Sequence, residues 1–351
     1  MKVFISGGGT GGHFYPAQSV ALKLKKRGYK VYYFGTVNGI EAIKNFPSEK
    51  KYLFNISGVR GKNLINSLFS SFNLIKTAFK ISKIIKKEKP EFIICFGGYA
   101  SLPLGLAGFF TKTPVFLHEQ NSIPSYTNLL LSRISRKIFI SFEYSRKYFP
   151  SEKTILSGLP LRESFKRDIK ASKTDALKFL SVKDKKTVLV IGGSQGSRSL
   201  SEVAIETSKI LSDYQFILIG GKHFNKPVSL PENVVFFDFI ERIGLAYVIS
   251  DIIVSRAGAS STFEIMASGK YSIFVPFPYA ASNHQFFNVK WIEELGGCKI
   301  INENELSPKI LAEAIKDGFD SKSKSLKLKK YFIDNAEDII VNGILNEINK
   351  I

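Results

Sequence analysis

Cysteine is nearly absent from this chain, which has 2 cysteines, Cys95 and Cys298, among 351 residues. They are far apart and form no Cys-x-x-Cys pair, which excludes a disulfide scaffold and a cysteine-based zinc site and suits a reducing cytosol. No apolar run reaches the length of a membrane span, and Lys2 precedes only a short apolar run before polar glycines. We therefore expect neither a spanning helix nor a cleavable signal.

Acidic residues are scarce in the first part of the chain. Residues 1–160 carry 24 Lys+Arg against 7 Asp+Glu, a net charge of +17. Residues 161–351 carry 26 against 23, a net charge of +3, so the whole chain has a net charge of +20. A basic half attracts polyanions, either nucleic acid or a membrane surface with anionic lipids. No nucleic-acid-binding signature or arginine cluster occurs, so nucleic acid is not expected as a partner.

Many of these positive charges lie in residues 62–89, where apolar side chains recur three or four residues apart among lysines. The pattern predicts a helix or a helix pair at an anionic bilayer interface. The alternative is a core-facing crossover helix with a solvated lysine face. The side chains that we expect at the membrane are Phe69, Phe72, Phe79, Lys76 and Lys80.

Glycine, by contrast, is concentrated in one loop, GGGTGGHFYPAQ at 7–18, which follows the apolar run 3–5. A strand, a glycine-rich turn and a helix form an anion-binding site, because the first N–H groups of the helix lack internal partners and glycine admits a ligand to the backbone. Gly12 is followed by His13, which excludes a Walker A loop. The next predicted strand lacks the acid of a dinucleotide fold, the first acid being Glu41, so NAD or FAD is not favoured.

The order of strand, glycine turn and helix occurs twice. Strand-like runs end at Ile5, Phe34, Phe96, Leu117 and Ile140 in the first half, and cover 187–191, 216–219, 234–237, 252–254 and 271–275 in the second. This alternation predicts an α/β fold of two Rossmann-like domains with doubly wound parallel sheets. We place them at 1–160 and 161–334, with a charged interdomain connection running through Lys186. A C-terminal helix at about 335–351 either closes the second domain or packs back on the first.

Seven motifs, in one order along almost the whole chain, carry a resemblance to a known family. They are GGGTGGHFYPA (7–17), GGYAS (97–101), HEQNSIPSYTN (118–128), GLPLR (158–162), GGSQGSRS (192–199), SRAGASSTFEIMASGK (255–270) and VPFPYAASNHQFFN (275–288). The set resembles the MurG family of peripheral membrane glycosyltransferases, which transfer N-acetylglucosamine (GlcNAc) from UDP-GlcNAc to lipid I and so form lipid II in peptidoglycan synthesis.

The resemblance implies a GT-B fold, in which the two domains face a cleft. It assigns UDP-GlcNAc to the C-terminal domain, and lipid I and the cytoplasmic face of the cell membrane to the N-terminal domain. No Asp-x-Asp triplet, the metal-binding motif of GT-A enzymes, occurs in the sequence. Backbone N–H groups and helix N-termini are therefore expected to stabilise the leaving diphosphate, with no metal or cofactor.

For the donor, the resemblance implies contacts from Arg162, Ser194, Ile240, Ala259, Ser260, Ser261, Thr262, Phe263, Glu264 and Gln285. Glu264 is expected in the first turn of a helix, with its carboxylate on the ribose hydroxyls; simple helix-dipole pairing is the alternative. The backbone of Ile240 is expected at the uracil, Ser194 at the diphosphate and Gln285 at the GlcNAc hydroxyls. Arg256 is a further candidate, although a surface salt bridge explains it equally well.

For the acceptor, the muramoyl C4 hydroxyl must lose a proton as it attacks C1 of the donor sugar. His13 is the expected general base, since an imidazole titrates in the useful range. The alternative is that His13 caps the helix or binds the acceptor diphosphate, with Glu119 or His118 as the base. The remaining residues assigned to the substrates are Thr10, Gly11, Gly12, Asn121, which would orient the donor sugar, and Tyr99, which would line the acceptor site.

Two departures from the family pattern concern the donor. Leu159 stands where the family has Asn, and Asn283 and Phe286 replace the more usual Asp and, in some members, Gln. Two other functions stay open: a GT-B enzyme that glycosylates another membrane lipid such as diacylglycerol, and a non-enzymatic nucleotide-sugar or polyanion binding module. The lack of an evident nucleophilic carboxylate pair favours a single displacement with inversion.

Overall fold

A computed structural model describes residues 1–56, 64–193, 195–221, 224–321 and 326–350, without the side chains of 64–72 and 326–327. The chain divides into two units. The first consists of Met1–Arg162 together with Ile333–Ile351, and the second of Glu163–Phe332.

The described strands of the first unit form a seven-stranded sheet with the order β3-β2-β1-β4-β5-β6-β7, and every neighbouring pair is parallel. The central strands are apolar along their whole length because helices cover both faces of the sheet. The strands are β1 (Lys2–Ser6), β2 (Lys30–Thr36), β3 (Lys50–Phe54), β4 (Phe92–Cys95), β5 (Val115–Glu119), β6 (Lys137–Ile140) and β7 (Thr154–Leu156).

The helices of this unit are α1 (Gly11–Lys26), α2 (Ile40–Ile43), α3 (Leu64–Glu88), α4 (Ser101–Phe110) and α5 (Tyr126–Ser132), and short 3₁₀ helices cover Glu143–Tyr148 and Ser151–Lys153. The basic stretch thus forms one helix, α3, which crosses from β3 to β4. Its buried residues Leu74, Ala78, Ile81 and Ile85 recur at helical spacing. This side of α3 packs on α4 and the sheet, as a crossover helix does.

The described strands of the second unit form a six-stranded parallel sheet with the order β10-β9-β8-β11-β12-β13. They are β8 (Thr187–Ile191), β9 (Gln215–Ile219), β10 (Val234–Phe237), β11 (Ile252–Ser255), β12 (Tyr271–Phe274) and β13 (Cys298–Ile300). Two doubly wound parallel sheets confirm the predicted α/β fold class.

The helices of the second unit are α6 (Glu163–Asp168), α7 (Lys173–Leu180), α8 (Arg198–Ile210), α9 (Ile243–Ile249), α10 (Ala259–Ser268), α11 (His284–Glu294) and α12 (Pro308–Asp320), with 3₁₀ segments at Ala281–Asn283 and Leu326–Tyr331. The charged stretch that we interpreted as an interdomain connection forms α6 and α7, which pack on α9. The polar composition misled the interpretation, because both helices are short and amphipathic and leave most of their surface in solvent.

The last helix, α13 (Ala336–Ile348), belongs to the first unit and packs on α1. Its buried residues Ile340, Val341 and Ile344 join the same core cluster as Val20 of α1. Asp338 pairs with Lys23 at 2.7 Å. The burial of three aliphatic side chains stabilises this contact more than the partly exposed ion pair does.

Candidate active site

Four loops lie at the two points where the strand order reverses direction. In the first sheet this point falls between β1 and β4, which are followed by residues 7–10 and 96–100. In the second sheet it falls between β8 and β11, which are followed by residues 192–197 and 256–258. Open parallel sheets bind ligands at the carboxyl ends of their strands at such points. Both predicted glycine-rich segments therefore begin where this fold holds its ligands.

The first glycine-rich loop is anchored by the buried carboxylate of Glu41. Its Oε2 accepts a hydrogen bond from the N–H of Gly9 at 2.7 Å, and its Oε1 accepts from the N–H and the hydroxyl of Thr36, both at 2.8 Å. The hydroxyl of Tyr33 donates to the carbonyl of Gly7 at 2.8 Å. These bonds fix the main chain of the loop from its buried side.

Glycine is required where the chain passes the Glu41 carboxylate. A Cβ on Gly8 would lie 2.3 Å from Oε1, and one on Gly39 would lie 2.2 Å from Oε2. From the sequence, Glu41 counted only as the first acid after the predicted strand, and its role as an anchor was not predicted. The signal was available, because Glu41 follows Gly35 and Gly39 closely in a turn after a buried strand.

His13 is the third residue of α1, which begins at Gly11 and also includes Gly12. Thr10 is the N-cap residue. The Nδ1 atom of His13 lies 2.7 Å from Oε1 of Gln120, in the loop after β5. The predicted residues of the first loop thus lie together at the N-terminus of α1, where the helix dipole favours an anion.

The turn after β4 packs against the His13 ring. Gly97 and Gly98 have φ values of +84° and +72°, and a Cβ on Gly97 would lie 3.2 Å from Cε1 of His13. Tyr99 is partly exposed and lies beside the glycine loop, since a Cβ on Gly9 would lie 3.9 Å from its Oη. The structure therefore brings His13 and Tyr99 into one site.

Glu119, which we considered as an alternative base, is fully buried and holds the loop after β5. Its Oε1 accepts from the N–H of Asn121 at 2.8 Å, and its Oε2 accepts from Nδ2 of Asn128 at 2.7 Å and from the N–H of Ser125 at 3.3 Å. Burial raises the pKa of Glu119 to about 7, although these donors oppose the shift. The carboxylate positions the main chain at Asn121 from inside the fold.

Gln120 lies between two imidazoles, and sequence reasoning missed it. Its Nε2 is 2.9 Å from Nδ1 of His118, and its Oε1 bonds His13. The Nε2 atom of His118 is 3.2 Å from the carbonyl of Gly158. Burial lowers the pKa of His118 to about 4, so this imidazole is neutral at pH 7.

Arg162 is the last residue of the first unit before α6. Its guanidinium lies 4.7 Å from the ring centroid of Tyr15, which stands on α1 two residues after His13. A guanidinium stacked on an aromatic ring is held in orientation while its N–H groups can bind an anion. Leu159, at the position of the family Asn, is buried.

In the second unit, α10 begins at Ala259 with Gly258 as the N-cap residue. The N–H groups of Ala259, Ser260 and Ser261 point out of the first turn and have no partner within the helix. A Cβ on Gly258 would meet no atom within 4 Å, so the space beside this turn is open. The N-terminus of α10 is a second anion-binding position.

Three further predicted residues occupy different positions on α10. The N–H and the hydroxyl of Thr262 both donate to the carbonyl of Gly258, at 2.9 and 3.0 Å, and the ring of Phe263 is buried in the core. Glu264 lies in the second turn, which corrects the expected first-turn position. Its Oε2 accepts from the hydroxyl of Tyr247 at 3.3 Å. The dipole effect fades after the first turn, so helix-dipole pairing alone does not explain Glu264.

The loop after β8 packs tightly against the loop after β9. A Cβ on Gly196 would lie 2.1 Å from the carbonyl oxygen of Gly220. Gly193 has a φ of +83°, and a Cβ there would meet no atom within 4 Å. The main chain at Gly193 is therefore open to a ligand. Ser194, expected at the diphosphate, lies outside the described residues.

Arg256 is buried, with 7% of its surface exposed, which corrects the alternative of a surface salt bridge. Its guanidinium donates to Oγ of Ser197 at 2.6 Å and to the carbonyl of Val275 at 3.1 Å, and it pairs with both carboxylate oxygens of Glu303. Arg256 thus ties the loop after β8 to the end of β12.

Ile240 lies in a loop of the second unit, and Gln285 lies on α11. Ile240 follows β10 and precedes α9 in the chain, and its side chain is buried. Gln285 is in the first turn of α11, and its Oε1 accepts from the N–H of Phe277 at 2.9 Å. Its side-chain amide remains a donor.

An apolar patch is exposed where α3 lies against α4 in the first unit. Its members are Ile75, Phe79, Phe109 and Phe110. Lys76 and Lys80 are exposed on α3 beside it. Phe69 and Phe72 belong to the part of α3 whose side chains are not described. A single helix therefore both packs on the core and carries an exposed aromatic surface with lysines beside it.

Within the described ranges, no helix is long and apolar enough to span a bilayer. In the same part of the chain, no cluster of three or more His, Cys, Asp or Glu side chains is placed to hold a metal ion.

Two family models match most of the chain. Residues 3–140 match the glycosyltransferase family 28 N-terminal domain, and residues 187–342 match the glycosyltransferase family 28 C-terminal domain. The chain belongs to glycosyltransferase family 28. The motifs predicted membership of the MurG family. Relatives that match this chain over nearly its full length confirm that prediction.

One such relative is the UDP-N-acetylglucosamine–N-acetylmuramyl-(pentapeptide) pyrophosphoryl-undecaprenol N-acetylglucosamine transferase of Sulfurihydrogenibium sp. (strain YO3AOP1). It is 49% identical over 348 residues, which are 99% of this chain and 98% of the relative. A protein of the same name from Aquifex aeolicus is 37% identical over 349 residues, 98% of this chain and 99% of the relative.

Comparison with solved structures supports the same family and fold. The crystal structure of Acinetobacter baumannii MurG has a TM-score of 0.77 at 27% identity and covers 98% of this family 28 chain and 99% of its own. A UDP-GlcNAc 2-epimerase from Neisseria meningitidis has a TM-score of 0.70 at 18% identity and covers 99% of this chain and 100% of its own, a likeness of fold alone. The predicted GT-B fold class is confirmed.

Proposed function

We propose that this chain transfers GlcNAc from UDP-GlcNAc to the C4 hydroxyl of the muramoyl unit of lipid I and so forms lipid II. The observation that carries the proposal is the 49% identity, over 99% of the chain, to a transferase named for this reaction. The positions of His13 and of the N-terminus of α10 at the switch points of the two sheets support it.

UDP-GlcNAc binds the second unit in this proposal. The diphosphate accepts hydrogen bonds from the first-turn N–H groups of α10 and from the open main chain at Gly193, which stabilise the charge that grows as UDP departs. Glu264 accepts from the ribose hydroxyls, and the main chain of Ile240 pairs with the uracil. The side-chain amide of Gln285 donates to a GlcNAc hydroxyl, while Arg162 adds positive charge beside the nucleotide.

Lipid I binds the first unit. Thr10, Gly11 and Gly12 present the N-terminus of α1 to a phosphate-bearing substrate, and Tyr99 lines the acceptor side of the loop. His13 acts as the general base in the same site.

The chemical step is a single displacement. As the C4 oxygen of lipid I bonds to C1 of GlcNAc, its proton moves to the imidazole of His13, and the C1–O bond to UDP breaks with both electrons on the phosphate oxygen. Attack from the face opposite the leaving group inverts C1, so an α-linked donor gives a β-linked product. His13 carries the reaction's proton until solvent removes it.

The membrane is the second partner that we propose, with the chain bound peripherally at the cytoplasmic face. Phe79, Phe109 and Phe110 would enter the interfacial layer, and Lys76 and Lys80 would lie at anionic headgroups. The surplus of positive charge in residues 1–160 supports the same orientation. Lipid I carries its diphosphate at this surface, so membrane binding would concentrate the enzyme at its substrate.

The test is an assay of UDP release from UDP-GlcNAc with lipid I, with diacylglycerol and with neither, together with detection of the glycosylated lipid. We expect UDP release and lipid II only with lipid I. Release that depends on diacylglycerol would assign the chain to a different lipid acceptor. Binding of UDP-GlcNAc without release under any condition would leave a binding module and overturn the proposal.

A further inference from the structure

Three side chains form a hydrogen-bond chain that begins at a backbone carbonyl and ends at His13. The carbonyl oxygen of Gly158 is 3.2 Å from Nε2 of His118. Nδ1 of His118 is 2.9 Å from Nε2 of Gln120, and Oε1 of Gln120 is 2.7 Å from Nδ1 of His13. The two middle members are buried, so water does not compete for these bonds.

The direction of every bond in this chain is determined by its buried end. A carbonyl oxygen only accepts, so the Nε2 of His118 must carry the proton that it donates to Gly158. His118 is neutral, because burial lowers its pKa to about 4, and its Nδ1 is therefore an acceptor. The Nε2 of Gln120 must donate to that acceptor.

A second contact fixes the side-chain amide of Gln120 independently. Its Nε2 also lies 3.1 Å from the backbone carbonyl of His118, which again can only accept. Reversing the amide would place its oxygen against both a carbonyl and an imidazole lone pair. The Oε1 of Gln120 therefore faces His13 and accepts a hydrogen bond from its Nδ1–H.

We propose that Gln120 is a positioning residue that holds neutral His13 as the Nδ1–H tautomer and so places the basic lone pair on Nε2. The catalytic consequence of this tautomer rests on the proposed function, in which Nε2 takes the acceptor proton. The assignment of the tautomer itself does not depend on the proposed function.

The same bond survives proton uptake. Imidazolium keeps its Nδ1–H, so Gln120 accepts from His13 before and after the transfer and the ring needs no reorientation. Gln120 is a neutral amide and cannot receive the proton, so the charge stays on His13. The other titratable groups on the segments around the ring are Glu41 behind the glycine loop, Tyr99 after β4, and His118 and Glu119 on β5.

The tautomer can be measured without any substrate, by long-range ¹H–¹⁵N NMR of the histidine rings in the full chain at a pH where the imidazoles are neutral. In the wild type we expect a protonated Nδ1 and an unprotonated Nε2 for His13. Gln120→Met keeps the length of the side chain but removes the acceptor, and we expect the His13 signals to move toward the Nε2–H tautomer. Gln18→Ala, which removes a Gln from the same helix as His13, should leave them unchanged.

An Nε2–H tautomer in the wild type, or an Nδ1–H tautomer that persists in Gln120→Met, would overturn the proposal. If that variant does not fold, Gln120→Glu gives the answer. Its carboxylate still accepts from Nδ1 and favours the imidazolium, so the tautomer should persist while the acid limb of the kcat/KM profile moves to higher pH. The NMR titration of the His13 ring in Gln120→Glu should move to higher pH as well, and an unmoved titration would contradict a bond between the two side chains. A shifted titration with an unmoved acid limb would instead remove His13 as the base.

The activity of Gln120→Met distinguishes the positioning role of Gln120 from the proposed role of His13 as the general base. We expect Gln120→Met to lower kcat roughly 10- to 100-fold with little change in the KM for UDP-GlcNAc, because only the base is misplaced. A changed tautomer with unchanged kcat would remove His13 as the base and leave the positioning by Gln120 intact.

Discussion

The ring of Phe79 on α3 stacks on the ring of Phe110 on α4, with centroids 5.7 Å apart and planes 14° apart. Both rings are about half exposed, at 58% and 50%. Each stands on a helix whose opposite side is buried in the core of the first unit. The two helices therefore hold a stacked aromatic pair in a fixed, solvent-exposed position. Insertion of these rings into a bilayer would cost little side-chain entropy, because the stacking already restricts their rotamers.

Replacing both rings should weaken membrane binding. We expect Phe79→Ser with Phe110→Ser to lower the affinity for vesicles with anionic lipid at least about 10-fold, since burial of one Phe side chain contributes about 1.5–3 kcal/mol. Vesicle co-sedimentation measures this directly. Phe179→Ser is the matched control, because Phe179 is equally exposed but belongs to the second unit. Equal affinity of the double variant and the wild type would refute the patch as the membrane contact.

The kinetic effects of His13 and Glu264 should differ in kind. His13→Ala removes the group that accepts the proton in the transition state. We therefore expect kcat to fall roughly 100-fold or more, with the KM for UDP-GlcNAc nearly unchanged. Glu264→Ala removes a contact to bound donor, so we expect mainly a higher KM. Steady-state kinetics at saturating lipid I distinguishes the two. A His13→Ala enzyme with near-normal turnover would exclude the imidazole as the base.

The third prediction concerns the contribution of the Glu41 carboxylate to the stability of the first unit. Glu41→Ala leaves the partly buried N–H of Gly9 and the buried N–H of Thr36 without their acceptor, so we expect the free energy of unfolding to fall by about 2 to 4 kcal/mol. Glu49→Ala is the control, because Glu49 is exposed and pairs with the partly exposed Lys25 at 3.3 Å. It should cost less than about 1 kcal/mol. Urea unfolding followed by circular dichroism compares them, and equal losses would contradict the anchor.

The strands that sequence reasoning missed share one position in the fold. β3, β7 and β13 all lie at a sheet edge, and β7 and β13 are three residues long. An edge strand pairs on one side only and is covered less completely, so it lacks the continuous apolar run that revealed the central strands. The two α/β domains could be predicted because their central strands are buried on both faces.

The candidate site also has a part that the sequence predicted and a part that it did not. Glycine-rich loops after apolar strands predicted where the anion-binding positions lie, since that relation is local in the sequence. Gln120 was missed and the burial of Arg256 was not predicted, because partners such as His13 and the carboxylate of Glu303 come from distant segments. No spacing rule in one sequence brings such partners together.

The last prediction concerns His118 and Glu119, neighbours on β5 whose pKa values shift in opposite senses. Burial lowers the pKa of His118 from 6.5 to about 4. Between these values the unfolded chain binds a proton that the folded chain does not, so His118 makes stability rise with pH. Burial raises the pKa of Glu119 from 4.5 to about 7, where the folded chain holds the extra proton and stability falls as pH rises.

The two windows overlap between about pH 4.5 and 6.5, where the opposed slopes cancel. Glu119→Gln removes the falling slope, and we expect the free energy of unfolding of this variant, minus that of the wild type, to rise by up to about 1.4 kcal/mol per pH unit across the window. Glu49→Gln, at an exposed carboxylate, should give a nearly constant difference. Urea unfolding at half-unit pH steps measures both. A Glu119→Gln curve parallel to the wild type would mean that Glu119 keeps an ordinary pKa, and then its burial among three donors stabilises the carboxylate rather than the acid.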